Sequence, residues 1–174
     1  KNIFVLTNSK YANLTKKHLG KIPKENILCE PIQKNTAASI AYGSFTIHSK
    51  NNNAKIIVCP SDHLINDNLK FKNLCLKAFN YLNIQSQIVT IGITPTSAHT
   101  GYGYIKTIKG KNNEITDVKE FKEKPDKKTA KKFLDSKTFL WNSGIFIFKS
   151  ELIIQQFKLH LRKTYNSFEK ILNI

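Results

Sequence analysis

Three short segments of the chain are almost continuously apolar, and this property limits the possible folds more than any other feature of the sequence. The segments are KIIVC at 55–59, IVTIGI at 88–93 and IFIF at 145–148. Such strands are typical of a parallel sheet that helices cover on both faces, because neither face meets water. The sequence therefore predicts that these segments are strands inside a layered fold.

Other strand-like and helix-like segments alternate along the chain. Enrichment in Ile, Val, Phe and Thr predicts strands at 3–7, 55–60, 87–93, 103–108, 115–124 and 144–149. Apolar residues at helical spacing predict helices within 10–22, 35–50, 71–82, 126–134 and 150–172. This alternation is typical of an α/β layered fold, and we expect one domain or part of one.

Three local features refine this prediction. The segment 115–124 is more polar than the other strands, which places it near a sheet edge. Asp126 directly follows Pro125, and an Asp in that position predicts the N-cap of a helix. Ser150 is expected to cap the last predicted helix, which we expect to bend or break near Asn166.

The composition is that of a folded globular protein. The chain has 174 residues, of which 40% are hydrophobic, enough for a sizeable core. No apolar run approaches the roughly 18 residues of a transmembrane helix, and no signal-peptide pattern follows Lys1. Because the first residue is not Met, we expect the chain to start inside a longer protein.

The chain is strongly basic, with a formal net charge of +16 and a pI near 9.8. Such a charge suits the binding of nucleic acid or of another anionic ligand. The lysines are scattered, however, and the chain has almost no Arg, the residue that sequence-reading nucleic-acid binders use most. The pattern therefore favours a solvated lysine-rich surface, with a nucleic-acid binder as the alternative.

The three cysteines are Cys29, Cys59 and Cys75. Their odd number and wide spacing fit neither a disulfide framework nor a CxxC metal site. Cys59 and Cys75 lie in apolar segments, so we expect both to be small buried hydrophobic residues. A reducing compartment, the cytoplasm, is the expected location.

The turn that follows the strand KIIVC is a candidate ligand site. In open α/β sheets, ligands bind outside the carboxyl ends of the strands. Asp62 lies at such an end, and Mg²⁺ commonly binds through one or two carboxylates together with substrate phosphates. The alternative is an Asp that shapes a turn or caps a helix. His63 beside it is more often a hydrogen-bonded partner than a catalyst.

The segment between two predicted strands contains Gly101, Tyr102 and Gly103. Glycine lets a backbone approach a ligand closely, so this segment is a second candidate. A bulge or a tight bend is the alternative, because the segment does not match GxGxxG.

The segment Lys122, Glu123, Lys124 ends the polar strand. A carboxylate such as that of Glu123 can accept hydrogen bonds from two vicinal sugar hydroxyls. A neighbouring ammonium can neutralise a phosphate as a point charge. The alternative is a solvated, charged edge strand that stops at Pro125.

Two further segments offer polar groups next to predicted elements. Asn142, between Trp141 and Gly144, carries an amide that can recognise hydroxyls, or it lies in a loop that an aromatic side chain plugs. Glu30 follows a strand-like segment, and Asn35 with Thr36 opens a helix whose N-terminus favours anions and polar ligands. A plain N-cap is the alternative there.

Taken in order, these segments resemble the motifs of one enzyme family. They read CEPIQKNTAASIA, VCPSDHLI, VTIGITPTSAHTGYGYI, EFKEKPD and FLWNSGIFIFK. The chain from about residue 3 to 150 is similar to the mannose-1-phosphate guanylyltransferases (GDP-mannose pyrophosphorylases), in the bacterial form often fused to a mannose-6-phosphate isomerase domain. The resemblance implies a Rossmann-like three-layer αβα fold of the nucleotide-diphospho-sugar transferase type, with a mostly parallel mixed sheet.

The resemblance also implies a reaction. The phosphate of mannose 1-phosphate would attack the α-phosphorus of GTP, releasing pyrophosphate and forming GDP-mannose without a protein nucleophile. Mg²⁺ would be the cofactor, and catalysis would consist of positioning and charge neutralisation. GTP, mannose 1-phosphate and GDP-mannose would be the partners, with neither nucleic acid nor membrane. A homodimer is compatible with the family, whose members are often dimers or larger.

The motifs assign roles to individual residues by resemblance. Asp62 would bind the metal ion, and Lys124 would meet the sugar phosphate; both would be catalytic. The residues expected to bind the nucleotide are Glu30, Asn35, Thr36, Ala37 and Ser61. The residues expected to line the sugar pocket are His63, Tyr102, Gly103, Glu123, Asn142 and Gly144.

Some family features are missing, and this limits what the 174 residues are expected to do. We expect residues 1–174 to be a partial catalytic domain that lacks the N-terminal Gly-rich phosphate loop, the second metal-binding Asp and the C-terminal isomerase domain. The smaller departures are Ala38, where the family usually has Pro, and His99, where an acidic residue is common. The alternatives are a thymidylyl- or uridylyltransferase and a non-catalytic sugar-nucleotide-binding module.

Overall fold

The structure of the protein is a computed structural model that describes residues 2–30, 35–108 and 115–172, without the side chains of 171 and 172. Its strands are β1 Val5–Asn8, β2 Ile27–Glu30, β3 Lys55–Val58, β4 Val89–Ile93, β5 Tyr104–Thr107, β6 Val118–Lys122 and β7 Phe139–Lys149. Its α-helices are α1 Ala12–His18, α2 Thr36–Lys50, α3 Asn68–Ile84, α4 Lys127–Ser136, α5 Ser150–His160 and α6 Arg162–Leu172. Among the described residues, no helix has both the length and the apolar character needed to cross a membrane.

The backbone contacts divide the chain into two compact units. The first unit is formed by Lys1–Ile56 and Lys149–Ile174, and the second by Ile57–Phe148. In the first unit, β1 and β2 pair in parallel. Its helical core joins Ala41 and Phe45 of α2 to Phe157 of α5.

The second unit contains most of the larger sheet, in which the strand order is β3-β7-β5-β6 and β4 also pairs with β7. The pairs β4–β7, β5–β6 and β5–β7 are antiparallel. One core cluster lies between α3 and the sheet, with Leu82 and Ile147 both fully buried. A second cluster packs Ala130 of α4 against Tyr104 and Phe139. The mixed α/β class is thus confirmed, with antiparallel pairing extensive in this unit.

Several predicted elements and caps agree with the structure. Strand β6 is the last strand in the order of its sheet and is exposed along its whole length, as expected of an edge strand. Asp126 is the N-cap of α4, and its carboxylate accepts a hydrogen bond from the Thr129 backbone N–H at 2.9 Å. The sequence pattern therefore located both the edge strand and the start of α4.

Strand β7 is longer than predicted. It begins at Phe139 and not at Gly144, because Trp141 and Phe139 pair with Tyr104 and Lys106 of β5. The turn-forming composition around Asn142 hid this extension, and strand pairing overrides local preference there.

The last helical segment also differs from the prediction. The break lies at Leu161 and not near Asn166. It lets the aromatic rings of Phe157 and Tyr165, on either side, both pack against Phe45. Ser150 is not the N-cap of α5, because the cap residue is Lys149.

The hydroxyl of Ser150 has a different role. It donates to the Asn52 carbonyl at 3.0 Å and lies 3.0 Å from His48 Nδ1. Ser150 is fully buried, so these contacts replace the water that its hydroxyl loses on folding. Its side chain therefore joins the start of α5 to the end of α2 and is not available to cap its own helix.

Candidate active site

The turn after β3 presents the predicted metal ligand to solvent. Strand β3 ends at Val58, and Ser61, Asp62 and His63 are all exposed. Among the described residues, no group of three or more His, Cys, Asp or Glu side chains could hold a metal ion by itself. An exposed single carboxylate does suit Mg²⁺, which takes one or two carboxylates and completes its shell with substrate phosphates and water.

Cys59, between β3 and this turn, is exposed, so the prediction that it is buried was wrong. The strand ends at Val58 and not at Pro60, two residues earlier than expected, which leaves Cys59 in the loop. Cys75 on α3 is buried, as predicted. Desolvation by the surrounding protein raises the pKa of both thiols, and the neighbouring Cys59 charge raises that of Cys75 further. Neither cysteine is therefore an activated nucleophile.

Asn142 is held inside the sheet by its side chain and its backbone. Its Oδ1 accepts hydrogen bonds from the Thr90 hydroxyl at 3.0 Å and from the Gly144 backbone N–H at 3.2 Å. Its own backbone N–H donates to the Gly103 carbonyl at 2.8 Å. Because Oδ1 accepts from two donors, the amide orientation is fixed and the Nδ2 group is the donor left to serve a ligand.

Gly144 has a backbone conformation that requires glycine. Its φ of +73° lies in the left-handed region, which side chains with a Cβ rarely adopt. A Cβ at this position would lie 3.3 Å from Pro60 Cγ. The structure therefore brings the start of the Asp62 turn against the strand that carries Asn142.

Gly103 lies against the carboxylate of Glu123. A Cβ on Gly103 would lie 2.7 Å from Glu123 Oε2 and 3.2 Å from Phe121 Cζ. Only glycine leaves room for this approach of carboxylate to backbone. The predicted approach of a ligand to this backbone stays a prediction; in the structure the group that lies against Gly103 is the Glu123 carboxylate, so two of the predicted sugar-binding residues lie together.

Glu123 also contacts Lys124. The Glu123 Oε1 and Lys124 Nζ atoms are 3.7 Å apart, and the side chains are 60% and 65% exposed. So exposed a pair contributes little to stability. Lys124 has a φ of +41°, a strained value for a residue other than glycine. Lys137 also has a positive φ, of +55°, as the C-cap of α4, so the backbone conformation alone does not assign a function to Lys124.

Tyr102 is part of a cluster of three aromatic rings. Its ring stacks on His99 with centroids 4.2 Å apart, and it meets Trp141 edge-on at 5.1 Å. The Trp141 indole Nε1 is buried and has no hydrogen-bond partner within the described residues. The alternative for this segment was a loop that an aromatic side chain plugs; in the structure Trp141 lies in β7, and its ring lies beside Tyr102.

Sequence reasoning missed two residues of this neighbourhood. Thr90 orients the Asn142 amide, and an isolated Thr in an apolar strand gives no signal of that role. His99 accepts a hydrogen bond at Nδ1 from the Gly101 N–H at 3.0 Å. The side chains known to bond the backbone N–H two residues ahead in turns are those of Asn, Asp, Ser and Thr, so no turn pattern indicated this role for histidine.

The predicted nucleotide residues of the first unit form a separate group. Glu30 Oε1 accepts a hydrogen bond from the Ser39 hydroxyl at 2.8 Å, which ties the end of β2 to the first turn of α2. Asn35 is the N-cap residue of α2 but makes no side-chain cap hydrogen bond, while Thr36 and Ala37 are exposed. Pro31 and the rest of 31–34 lie outside the described residues.

Comparison with known proteins agrees with this architecture. The nucleotidyl transferase family matches residues 1–173 of the chain. The chain belongs to this family. The chain is 35% identical over 170 residues to the mannose-1-phosphate guanylyltransferase RfbM of Salmonella typhimurium, covering 95% of the chain and 35% of that protein. It is 38% identical over 132 residues to the xanthan biosynthesis protein XanB of Xanthomonas campestris, covering 76% of the chain and 28% of that protein.

Two solved structures share the fold of this nucleotidyl transferase. The mannose-6-phosphate isomerase of Helicobacter pylori superposes with a TM-score of 0.83 at 29% identity, covering 98% of this chain and 64% of that one. The mannose-1-phosphate geranyltransferase of Thermus thermophilus superposes with a TM-score of 0.87 at 22% identity, covering 98% and 49%. The chain spans about a third of the length of the curated relatives.

Proposed function

We propose that the complete protein transfers GMP from GTP to mannose 1-phosphate, forming GDP-mannose and pyrophosphate. The observation that carries the proposal is the sugar-side arrangement in which Gly103, Glu123 and Asn142 lie together. Support also comes from relatives named mannose-1-phosphate guanylyltransferase that are similar over as much as 96% of this chain.

The proposed reaction is a displacement at phosphorus. An oxygen of the sugar phosphate forms a bond to the α-phosphorus of GTP, while the bond from that phosphorus to the bridging oxygen of the β-phosphate breaks. Pyrophosphate leaves with the electron pair. Bound Mg²⁺ would supply charge neutralisation at the phosphates. Asp62 would hold the ion, and Lys124 would orient the sugar phosphate and neutralise part of its charge.

The sugar pocket would combine a donor with an acceptor. The Asn142 amide can donate through Nδ2, and the Glu123 carboxylate can accept from vicinal hydroxyls. Tyr102 would offer its ring face, and Gly103 and Gly144 would let the backbone come close to the sugar. His63 would line the floor of this pocket.

The proposed nucleotide contacts come from two segments of the chain. Glu30, Asn35, Thr36 and Ala37 would meet the guanine base near the start of α2, where polar ligands are favoured. Ser61 would lie beside Asp62 near the phosphates.

We propose that 1–174 is a part of the catalytic domain, because the curated relatives are about three times its length. The cytoplasm, the absence of nucleic-acid and membrane partners, and a homodimer stay predictions.

The test of the proposal is a matrix of substrates. The product of the complete gene is incubated with Mg²⁺ and each pairing of GTP, dTTP, UTP or ATP with mannose 1-phosphate or glucose 1-phosphate. We expect pyrophosphate release with GTP and mannose 1-phosphate alone. Release with a thymidylyl or uridylyl pair would keep the chemistry and overturn the substrate. No release by the folded protein would favour a sugar-nucleotide-binding module.

Glu123→Gln tests the sugar-side role more narrowly. The amide keeps the shape of the carboxylate but loses its charge and one acceptor, so we expect the KM for mannose 1-phosphate to rise by about tenfold. The KM for GTP should change little. An equal rise in both constants would contradict a role on the sugar side. Glu120→Gln is the matched control, since it removes an exposed carboxylate three positions earlier, on β6.

A further inference from the structure

We propose that His99 is a positioning residue that holds the Tyr102–Gly103 segment in its binding shape, and that it does so only as a neutral imidazole. The inference rests on the proposed sugar-binding role of that segment. It concerns residues 99–104, which form the end of the connection from β4 to β5 and the first residue of β5.

His99 accepts two hydrogen bonds within this loop, one through its side chain and one through its backbone carbonyl. Its Nδ1 accepts a hydrogen bond from the Gly101 backbone N–H at 3.0 Å. Its carbonyl accepts one from the Tyr104 hydroxyl at 2.8 Å, and Tyr104 is fully buried. The loop is thus closed on itself, with His99 as the residue that both hydrogen bonds share.

The space around Gly101 is shaped for the imidazole. A Cβ on Gly101 would lie 2.9 Å from His99 Cε1 and 3.2 Å from His99 Nδ1. The ring also stacks on Tyr102, with an interplanar angle of 18°. The imidazole is exposed, and it is held by one side-chain hydrogen bond and by stacking on the exposed Tyr102 ring.

The conformation of this loop also positions Gly103, one of the predicted sugar-binding residues. Gly103 follows Tyr102 directly, and its carbonyl accepts the Asn142 backbone N–H at 2.8 Å. The same residue approaches the Glu123 carboxylate. A loop that opened at Gly101 would move the groups next to both Asn142 and Glu123.

The protonation state of His99 decides whether the loop can close. A backbone N–H can only donate, so Nδ1 must be unprotonated and the ring proton must lie on Nε2. A doubly protonated imidazole has no acceptor and would face the Gly101 N–H with a second donor. Histidine is the side chain whose charge changes between about pH 5 and 8.

The described contacts of the His99 side chain and backbone involve no carboxylate that could balance a charge. The titratable groups that face it are the phenols of Tyr102 and Tyr104. Trp141, the remaining ring nearby, does not titrate, and its centroid is 6.4 Å away. The Lys106–Glu120 and Lys124–Glu123 ion pairs do not include His99.

Two substitutions separate the hydrogen bond from the ring. In His99→Asn, the side-chain oxygen can accept from the N–H two residues ahead at any pH, as in an Asx-turn. In His99→Phe, the ring can still stack on Tyr102, but the acceptor is lost. His160→Asn is the control, because it removes an exposed histidine at the end of α5.

The kinetic test measures the KM for mannose 1-phosphate and for GTP, with kcat, from about pH 5.5 to 8. We expect the wild-type KM for the sugar phosphate to rise by about tenfold at the acid end relative to His99→Asn, the cost of one lost hydrogen bond. His99→Phe should show the raised KM at every pH. The sugar phosphate titrates equally for all variants, so the difference between them isolates His99.

A second readout needs no substrate. The fluorescence of Trp141, taken as the difference between the protein and its Trp141→Phe variant, should change with pH in the wild type. In His99→Asn it should stay flat. The inference is overturned if His99→Asn keeps the wild-type pH dependence, or if His99→Phe matches the wild type in KM and in its pH profile.

The two readouts keep this inference apart from the proposed function. A protein that makes no GDP-mannose but shows the histidine-dependent fluorescence change would contradict the proposed substrates. It would still support the proposed role of His99 in positioning the Tyr102–Gly103 segment. A protein that makes GDP-mannose with a pH-independent Trp141 signal would contradict the role of His99 alone.

Discussion

The turn after β3 and the strand β7 both carry predicted site residues in the second unit, and the fold treats them differently. Ser61, Asp62 and His63 are exposed in a turn. Asn142 is half-buried, and three hydrogen bonds join it to the two neighbouring segments and to its own strand. One region presents a charge to solvent, and the other fixes an amide in one orientation.

The difference matches the demands of the two proposed ligand groups. A phosphate with its metal ion brings strong charge and its own water, so an exposed carboxylate can adapt to it at low cost. A sugar hydroxyl offers weak directional bonds, and donors and acceptors for it are most effective when they are already placed. Substitutions should therefore separate the two regions. Removal of the Asp62 charge should lower turnover without loss of stability, and changes around β7 should affect binding and stability together.

Asp62→Asn should have the largest effect. The amide keeps the shape of the side chain but removes the charge that holds the metal ion, so we expect kcat to fall by roughly 100-fold or more. The melting temperature should not change, because the side chain is exposed. Steady-state kinetics and thermal unfolding of the same preparation measure both quantities.

Asp67→Asn is the matched control for Asp62→Asn. It makes the same change in charge five positions further along, at the N-cap of α3, where Asn caps as well as Asp. Both kcat and melting temperature should stay near wild type. A similar loss of turnover in the two variants would mean that Asp62 acts through general charge and not as a metal ligand.

Asn142→Ala should have the second largest effect and should weaken both stability and substrate binding. It leaves the Gly144 N–H without its acceptor and removes the proposed donor to the sugar. We expect a loss of about 1–3 kcal/mol in the free energy of unfolding, together with a raised KM for mannose 1-phosphate. Denaturant unfolding and kinetics measure these effects.

Thr90→Val separates the effect of the Asn142 amide itself from the effect of the hydroxyl that orients it. The substitution removes the hydroxyl whose single proton is shared between Asn142 Oδ1 and the Ile145 carbonyl, so stability should fall by about 1 kcal/mol. The Asn142 amide stays, and the KM for the sugar phosphate should rise less than in Asn142→Ala. An equal rise in KM would indicate that the amide binds no ligand and serves the strand only.

Gly103→Ala should have a smaller effect that is confined to binding. The added Cβ would displace the Glu123 carboxylate, which is the flexible end of an exposed side chain and moves easily. We expect the KM for mannose 1-phosphate to rise by several-fold, or about 1 kcal/mol, with little loss of stability. Gly20→Ala is the control, because a Cβ there meets nothing within 4 Å. An unchanged KM would exclude Glu123 from the sugar pocket.

Much of the fold could be predicted from local patterns. Apolar runs located β3, β4 and the end of β7, and the helical spacing of apolar residues located α3, where Ala78 and Leu82 are buried. The predictions that were wrong concern features that depend on residues distant in the sequence. The start of β7 depends on pairing with β5, and the break at Leu161 depends on the position of Phe45. Neither partner is visible in the local sequence.

The candidate site was likewise predictable in its residue types but not in its contacts. The residue types of Asp62, Gly103, Glu123 and Asn142 could be selected from the motif order. Their relation in space could not, because the contact between Gly103 and Glu123 depends on the register of β5 against β6. Likewise, one of the hydrogen bonds that occupy Asn142 Oδ1 comes from Thr90, which lies 52 positions away in the sequence.

The smallest predicted effect concerns stability at low pH and leaves the site untouched. Hydrogen bonds from the Thr129 backbone N–H, and then from its hydroxyl, lower the pKa of Asp126 at the N-cap of α4. A carboxyl with a lowered folded-state pKa stabilises the fold above its unfolded-state pKa, and this contribution is lost as the pH falls through the folded-state value. Asp126→Asn keeps the cap without a titrating group, so its melting temperature should fall less between about pH 5 and 2 than that of the wild type. Parallel curves would show that the cap contributes nothing to acid unfolding. A change in turnover at neutral pH would instead connect α4 to Lys124, two residues before the cap.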